Sequence, residues 1–544
     1  MTRDHILSQR EEYNEQAEKL IHNMKDIIVE TEDLKTVLEL INSIRKLGLT
    51  LHFEKEVKGA LGRISCSNFY NNKSPVIGKD LYLTSIYFRL LRQHGYQVSQ
   101  DIFRSFNMDK NVVRQKIAPA DTKVMLELLE ASYLAIEGED ILDEAKAFAE
   151  ENLKITAISS NLDNNKYVSK LVAHALELPS HWRVPWFDVK WQTKAYDIEK
   201  DMHMNSTTTI LVNLAKLNFN MVQATLQKDL RELSSWWKNL GLSENLNFAR
   251  DRLVESFMCT VGLAFQPQYK CLRKWLTKVV IFILIIDDVY DLYGSLEELR
   301  QFTNAVDRWD FRETEQLPEC MKICFQALYQ TTCQTADEIE TKNGCKLVLP
   351  HLQKVWADFC KSLLMEAEWY NRGYIPSLEE YLSNACISSS GPMLLLHSYF
   401  AITRDAPVEE MSDFLNKNQD LVYHISLVIR LCNDIGTSAA EQERGDAASS
   451  ILCYMQEMKV SEEVAREHIR GMINKTWKKI NKKCFSLSQL PTTSTSDISS
   501  FINITLNTAR VAHSLYQSGD AFSAQETDNK TQILSLLVEP LISQ

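Results

Sequence analysis

Apolar residues recur along the first half of the chain at the three- and four-residue spacing of amphipathic helices. One such set is Leu20, Met24, Ile27 and Ile28. The next set runs from Leu34 to Ile44. Asp33 stands before it as a favourable N-terminal acid, and Gly48 stands where a helix-terminating glycine is expected. The second half continues the helical pattern with longer apolar stretches. The pattern therefore predicts an all-α fold.

Two segments interrupt the helical pattern. Residues 178–186 (LPSHWRVPW) contain two prolines, which predicts a loop or a connection at a domain edge. Residues 490–500 (LPTTSTSDISS) are rich in Ser and Thr, which predicts an exposed, mobile loop. A chain of 544 residues is too long for one ordinary core, so we expect two helical domains. We place their boundary between about residues 190 and 215, which gives domains of residues 1–205 and 206–544.

Composition and charge limit the classes of function. Gly (16) and Pro (12) are scarce, which argues against turn-rich β folds. The net charge of −12 disfavours general nucleic-acid binding, because an acidic surface repels phosphate backbones. A small polyanionic substrate would need metal ions or local arginines to offset the same repulsion. We expect a monomer without nucleic-acid or membrane partners.

The sequence predicts neither membrane insertion nor secretion. The longest apolar run, Val279–Ile286, has eight residues, whereas a spanning helix needs about 20. The charged N-terminal stretch resembles neither a secretory signal nor a transit peptide, so we expect a cytosolic protein if Met1 is the native start. Twelve cysteines without a CxxC pair are typical of reduced, mostly buried thiols, and a structural zinc site is not expected.

Three aspartates directly follow the longest apolar run, in the segment VVIFILIIDDVYDLYG. If this segment is helical, Asp287 and Asp291 lie on one face about one turn apart, and Asp288 points elsewhere. Carboxylates this close repel each other unless a cation lies between them, and hard oxygen ligands suit Mg²⁺. Asp288 would then orient a metal ligand. The alternative is a solvated acidic helix end, which the preceding core-like run disfavours.

A second set of oxygen ligands lies in the segment IRLCNDIGTSAAEQERGD. Asn433, Thr437 and Glu441 are spaced four residues apart and line one face over two helical turns. Their amide, hydroxyl and carboxylate oxygens form a candidate site for a hard cation. Taken alone, the stripe is equally explained as a polar helix face. Two such faces on one all-α chain fit a divalent metal cluster that grips a diphosphate.

Arginines near both segments are candidate anion ligands. Arg250 and Arg252 do not share a helix face at a spacing of two, so we expect them at a loop-to-helix junction. Arg430 precedes Asn433 by three residues on the second segment. Guanidinium groups fork onto phosphate oxygens, although the two upstream arginines flank Asp251 and suit a local ion-pair network equally well.

Together these segments resemble the class I terpene synthases of plants. The match includes IDDVYD, NDIGTSAAE, the upstream RDR triplet and further stretches over nearly the whole chain. Stretches such as GYQVSQDIF and ARVAHSLYQSGD narrow the resemblance to farnesene-forming members of an angiosperm subfamily otherwise rich in monoterpene synthases. The resemblance implies an N-terminal α-barrel-like domain without a catalytic role and a C-terminal metal-binding helical bundle.

The resemblance also implies roles for the candidate residues. Asp287 and Asp291 would bind two Mg²⁺ ions and contact the diphosphate, with Mn²⁺ able to substitute. A third ion is expected on the second set: Asn433, Thr437 and Glu441. The arginines expected to hold the diphosphate, with Asn433, are Arg250, Arg252 and Arg430. Ionisation of farnesyl diphosphate followed by proton loss would then give acyclic (E,E)-α-farnesene.

Two departures from cyclising relatives favour an acyclic product. The chain lacks their N-terminal arginine pair followed by tryptophan, and it has Cys259 where many of them carry an aromatic residue. An aromatic face stabilises a cation by about 0.5–2 kcal/mol. The segment YQSGDAF resembles the family's closing loop, with Tyr516, Asp520 and Phe522 near the mouth of the pocket. The other candidates for the pocket wall, each equally explained as core, are Phe282, Tyr290, Tyr399 and Phe400.

Three alternatives compete with this interpretation. A monoterpene synthase would convert geranyl diphosphate to ocimene, myrcene or linalool. A chain-elongating prenyltransferase is disfavoured, because its second motif would normally be another aspartate-rich segment. A non-catalytic helical scaffold would need no metal at all.

Overall fold

The computed structural model describes residues 3–66, 77–106, 119–162, 166–203, 206–246, 251–344, 347–403, 414, 416–444, 448–489, 495–517, 519, 522 and 527–541. Within these residues the chain forms helices and no strand, which confirms the all-α prediction. None of the helices described there is long and apolar enough to cross a membrane. The described cysteines are all free thiols.

The first compact unit consists of residues 1–224, 484–489 and 539–544. Its helices are α1 (Arg3–Glu30), α2 (Leu34–Lys46), α3 (Glu54–Cys66), α4 (Leu81–Gln93), α5 (Pro119–Ser132), α6 (Asp140–Leu162), α7 (Lys166–Glu177), α8 (Pro185–His203) and the first part of α9 (Ser206–Leu240). Their apolar faces share one core, and a buried ion pair joins Arg89 of α4 to Glu127 of α5 at 2.5 Å.

The second compact unit consists of residues 225–483 and 490–538, so the division between the units falls inside α9. Its further helices are α10 (Leu242–Asn245), α11 (Leu253–Leu263), α12 (Lys270–Asp288), α13 (Leu296–Arg308), α14 (Glu319–Asn343), α15 (Val348–Arg372), α16 (Leu378–Ser388), α17 (Gly391–Ile402), α18 (Gln419–Arg444), α19 (Ser450–Met458), α20 (Glu462–Ser488), α21 (Thr495–Tyr516) and α22 (Thr527–Leu537). All the candidate functional residues belong to this unit.

The predicted helix after residue 33 is present as α2. The Asp33 carboxylate accepts a hydrogen bond from the Thr36 backbone N–H at 2.9 Å, so this acid is the N-cap. Gly48 follows the helix at φ +70°, and a Cβ there would lie 2.7 Å from the Val189 side chain. A glycine is therefore required both by the backbone conformation and by the close approach of α8.

The two interruptions predicted from the sequence have different outcomes in the structure. Residues 178–184 do interrupt the helices and include a short 3₁₀ turn, Ser180–Trp182, before α8 begins at Pro185. Trp182 and Trp186 are both buried in the first unit. For residues 490–500 the prediction of a loop is wrong from Thr495 onward, because α21 begins there. Ser, Thr and Asp residues suit the first turn of a helix as well as a loop, since they can satisfy its exposed N–H groups. Residues 490–494 lie outside the described part.

Five helices of the second unit pack in a closed ring. α12 packs against α11 and α17, α18 packs against α17 and α21, and α21 packs against α11. At one end of the ring, which we call the closed end, α17 also packs against α21 across the ring. Tyr399 contacts Phe501 edge-to-face there, with ring centroids 5.2 Å apart. Trp275 and Phe400 share a buried cluster at this same end.

The opposite end of the ring brings together the elements that carry the candidate residues. Because Trp275 lies at the closed end, the C-terminus of α12 lies at the other end, with Asp287 about 18 Å further along the helix axis. The N-terminus of α11 lies at this end too, since α11 forms an antiparallel hairpin with α12. So does the C-terminus of α21, because Phe501, in the N-terminal half of that helix, lies at the closed end. We call this end the mouth of the ring.

Candidate active site

The first candidate segment is a buried helix whose last turn widens. The apolar run packs inside the bundle, and α12 continues after Asp288 as a π-helical turn, Val289–Tyr293. Asp288 is buried, Asp287 is half-buried and Asp291 is exposed. Such π turns are common at functional sites, because the extra residue redirects side chains at a helix end. The acids thus begin at the rim of the packed interior.

The buried Tyr290 anchors this widened turn. Its hydroxyl lies 2.7 Å from the hydroxyl of Thr303 on α13, and its ring meets Phe302 edge-on. Burial raises the pKa of the Tyr290 hydroxyl well above its ordinary value, so the group stays neutral. Tyr290 therefore belongs to the core that holds Asp287 and Asp291 in place.

The hairpin of α11 and α12 sets Arg252 level with the acidic turn. The hydroxyls of Thr260 and Thr277 are 2.8 Å apart across the two helices. Arg252 lies about two turns before Thr260, and Ile285 lies about two turns after Thr277. Since the helices are antiparallel, Arg252 stands at the height of Ile285, within one turn of Asp287.

Arg252 is the N-cap residue of α11, at the loop-to-helix junction that its spacing predicted. Its Nε donates to the backbone carbonyl of Phe522 at 2.6 Å, and Phe522 itself is buried. The guanidinium is thus already tied to the segment that resembles a closing loop. Arg250 and Asp520 lie outside the residues that the structure describes.

The second candidate set is carried by α18. Nη1 of Arg430 donates to Oδ1 of Asn433 at 3.1 Å, and Nη2 donates to the Ser388 hydroxyl at 2.9 Å. The Thr437 hydroxyl donates to the Asn433 backbone carbonyl at 2.9 Å, which leaves the oxygen able to accept or to coordinate. Glu441 lies on the same helix, but its side chain is outside the described part.

Gly436 lies against residues of the segment that resembles a closing loop, which we call the closing segment (residues 516–522, of which the structure describes 516, 517, 519 and 522). A Cβ at this position would lie 2.8 Å from the Tyr516 carbonyl oxygen and 3.3 Å from that of Gly519. The backbone at Tyr516 and Gly519 therefore rests directly on the helix turn that holds Asn433 and Thr437. Together with the bond from Arg252, this contact brings the second set, one arginine and the closing segment to the mouth of the ring.

Two carboxyl groups beside Arg430, the half-buried Glu366 and the buried Asp434, escaped the sequence analysis. Glu366 accepts from the Ser388 hydroxyl at 2.6 Å, and Asp434 accepts from the Tyr381 hydroxyl at 3.0 Å and from a backbone N–H at 2.8 Å. Burial raises the pKa of both carboxyls, against the opposing charge of Arg430. Asp434 is next to Asn433 in the sequence, and only its burial marks it as a residue of the site. Burial cannot be read from the helical spacing.

The remaining pocket candidates lie in packed surroundings. Cys259 is buried on α11, and burial raises the pKa of its thiol to about 12. Phe282 and Phe400 are buried in the core. Tyr399 stacks on Phe414 with centroids 5.0 Å apart at the closed end of the ring.

The residues at the mouth fit a magnesium cluster by the chemistry of their oxygens. Among the described side chains, no group of three or more His, Cys, Asp or Glu lies close enough together to hold a metal ion. The set is instead an acid pair on α12 and amide and hydroxyl oxygens on α18, all hard ligands. Such a set leaves coordination positions to water and phosphate oxygens, which Mg²⁺ prefers over a cage made only of protein.

Comparison with protein families matches both parts of the chain. Residues 1–176 match the terpene synthase N-terminal domain, and residues 238–479 match the metal-binding domain of the terpene synthase family. The second match contains the candidate residues on α12 and α18.

Curated relatives align over almost the whole chain. An (E,E)-alpha-farnesene synthase of Malus domestica is 58% identical over 98% of this chain and 90% of its own length. An alpha-farnesene synthase of Ricinus communis is 56% identical over 97% of this chain and 91% of its own length. A (-)-alpha-terpineol synthase of Vitis vinifera is 43% identical over 98% of this chain and 87% of its own length.

A solved structure has the same fold over a similar span. Isoprene synthase from grey poplar (Populus x canescens), in complex with three Mg²⁺ ions and dimethylallyl-S-thiolodiphosphate, superposes with a TM-score of 0.86 at 40% identity, covering 97% of each chain.

Proposed function

The chain belongs to the terpene synthase family, and we propose that it converts farnesyl diphosphate into acyclic (E,E)-α-farnesene and diphosphate, with Mg²⁺ as cofactor. The main support for this proposal is that Arg252, the closing segment and the second oxygen set lie close together at the acidic mouth of one helical ring. The choice of product is supported by the relatives at 56–58% identity, both of which are named as farnesene synthases.

The proposed reaction breaks one bond and removes one proton. The C1–O bond of the substrate breaks, and its electron pair leaves with the diphosphate. The allylic cation then loses a proton from C4, whose C–H electrons form the new double bond of the conjugated product. We assign the departing proton to the released diphosphate, which lies beside the cation when it forms.

Residues at the mouth would stabilise the leaving charge. Arg252 and Arg430 present guanidinium groups that fork onto phosphate oxygens. Asp287 and Asp291 on one side and Asn433, Thr437 and Glu441 on the other would hold the metal. When bound, Mg²⁺ supplies Lewis-acid neutralisation of the diphosphate.

The interior of the ring would protect the cation. Apolar and aromatic side chains exclude water, which would otherwise add to the cation and give an alcohol. A cover over the mouth by the closing segment is supported by two contacts of its described residues: Arg252 bonds the Phe522 carbonyl, and Gly436 lies against the backbone of Tyr516 and Gly519.

A second candidate is a monoterpene synthase that uses geranyl diphosphate. Relatives named for monoterpene products are 43–44% identical to this chain, below the farnesene synthases at 56–58%. Cys259 also replaces an aromatic face that would favour cyclisation. These observations support the fifteen-carbon substrate and the acyclic product.

The decisive test is product analysis with purified protein. Farnesyl, geranyl and dimethylallyl diphosphate are incubated separately with the protein, with Mg²⁺ or with EDTA, and the volatiles are separated by gas chromatography with mass detection. We expect α-farnesene from farnesyl diphosphate only when Mg²⁺ is present. A higher kcat/KM with geranyl diphosphate would favour the second candidate, and no volatile from any substrate would refute both.

The proposal includes a cytosolic location. Some relatives are named as chloroplastic, so the location has to be measured. A fluorescent fusion of the full-length gene product, imaged in leaf cells, distinguishes the two compartments.

A further inference from the structure

Three side chains on three helices of the second unit form a hydrogen-bonded chain. Trp477 on α20 donates its indole N–H to Nε2 of His513 on α21 at 3.0 Å. Nδ1 of His513 lies 3.5 Å from Sγ of Cys432 on α18. Trp477 and Cys432 are buried, and the imidazole lies between them. We call this set the Trp–His–Cys chain.

The donor and acceptor properties of the three groups fix the direction of both hydrogen bonds in the Trp–His–Cys chain. An indole N–H can only donate, so Nε2 of His513 must be the unprotonated nitrogen. Burial lowers the pKa of His513 to about 3, which keeps the ring neutral with its single proton on Nδ1. That proton points to the sulfur of Cys432. Turning the ring over would lose both bonds, so the chain fixes the rotation of α21 against α18 and α20.

The Trp–His–Cys chain lies beside the elements of the proposed reaction. Cys432 immediately precedes Asn433, and His513 lies about one turn before Tyr516. The carbonyl of Tyr516 rests on Gly436, one residue before Thr437. The Trp–His–Cys chain therefore sets the register between the second oxygen set and the start of the closing segment. None of its three residues belongs to the oxygen set or to the closing segment.

We propose that His513 is a positioning residue: by holding α21 in register on α18, it keeps the backbone of Tyr516 and Gly519 on Gly436 at the mouth and so keeps water from the cation. This inference rests on the proposed function. Loosening the register admits water, whose oxygen bonds to the cation and then releases a proton to give an alcohol. The partition between hydrocarbon and alcohol therefore reports the seating of the segment.

The test replaces His513 by phenylalanine, which keeps the ring volume and removes both bonds. For His513→Phe we expect the ratio of hydrocarbon to alcohol to fall about three- to tenfold, with a lower kcat/KM. Cys432→Ser retains an acceptor and should keep the wild-type ratio. The matched control is His397→Phe, because His397 is a buried histidine whose Nδ1 bonds only the Met393 carbonyl of its own helix among the hydrogen bonds described.

A purely structural role would lower the melting temperature and the active fraction without changing the product ratio. A folded His513→Phe protein with the wild-type ratio, or the same change in His397→Phe, would overturn the proposal. If His513→Phe does not fold, Trp477→Phe and Cys432→Ala each break one bond and carry the same expectation. Failure of the proposed function is distinct, since the wild-type protein itself would then form no hydrocarbon.

Discussion

Asp287 is the residue whose replacement separates metal binding from folding most clearly. It is half-buried at the end of α12, next to the apolar run and one turn from Asp291. Asp287→Asn keeps the size of the side chain and removes its charge. We expect hydrocarbon formation to fall at least about 100-fold, because a metal ligand is weakened, while the helical circular dichroism signal stays unchanged.

The control for Asp287 is an acid outside the mouth. Glu297 is exposed in the first turn of α13, shortly after the same segment, so Glu297→Gln removes one charge nearby without touching the candidate ligands. Its product yield should equal that of the wild-type protein. Retention of most of the activity by Asp287→Asn would refute the metal assignment.

Gly436 tests the contact between the closing segment and α18. In Gly436→Ala the new methyl group would press on the Tyr516 carbonyl, 2.8 Å away in the wild-type geometry. We expect a severalfold lower kcat and more alcohol, because backbone at this position cannot yield like a flexible side chain. Gas chromatography of the products measures both effects.

Gly471 provides the matched helical glycine. A Cβ there meets nothing within 4 Å, so Gly471→Ala should leave the product ratio unchanged and stabilise α20 by about 0.5–1 kcal/mol. Equal effects of the two substitutions on the product ratio would argue that the closing segment does not depend on its contact with Gly436.

At the scale of single elements, a capping box begins α13 shortly after the turn that carries Asp291. The Ser295 hydroxyl caps the Glu298 N–H, and Glu298 bonds back to Ser295. Ser295→Ala should reduce the free energy of unfolding by about 1 kcal/mol, measured by urea denaturation at pH 7.

The same capping box predicts a dependence on pH. Hydrogen bonds from Ser295 lower the pKa of Glu298, so the carboxylate stabilises the folded state above the ordinary Glu pKa. This contribution is lost as the pH falls through the lowered pKa. The stability difference between wild type and Ser295→Ala should therefore shrink in acid, and a difference that grows in acid would contradict the assignment.

Elements with local signals could be predicted from the sequence, whereas tertiary partners could not. The spacing from Leu34 to Ile44 and the cap at Asp33 predicted α2, because both signals are local. The start of α21 at Thr495 was missed, since Ser and Thr favour loops and helix N-termini alike.

The candidate site shows the same limit. The spacing of the acids indicated a ligand face, but the π turn depends on packing against Thr303 and could not be read from spacing. Glu366, 64 residues before Arg430 along the chain, becomes its neighbour only through the packing of α15 and α16 near α18, and a single sequence carries no signal for that contact.

At the scale of the whole molecule, the first unit is expected to contribute stability rather than chemistry. Glu127 is buried between Arg89 and Lys46, at 2.5 and 3.0 Å. Burial opposes its charge, but the two cations overcome this and hold the pKa of Glu127 at about 2. Removing the carboxylate in Glu127→Gln would leave Arg89 buried without its counter-ion.

We therefore expect Glu127→Gln to destabilise the first unit by about 3 kcal/mol. Because the pKa is lowered, this stabilisation is present at neutral pH and is lost as the pH falls from the ordinary Glu value towards 2. Well below the melting temperature, the product ratio should match wild type. A changed product ratio in fully folded Glu127→Gln protein would assign the first unit a part in the chemistry.

The account depends on two helices gripping one diphosphate from opposite sides. The most direct measurement is a crystal structure of the protein with Mg²⁺ and a non-reactive thiolo analogue of farnesyl diphosphate. We predict a single diphosphate at the mouth, held by Mg²⁺ on Asp287 and Asp291 from α12 and by Mg²⁺ on Asn433, Thr437 and Glu441 from α18. Metal on only one of these helices, or an analogue bound away from the mouth, would contradict the account.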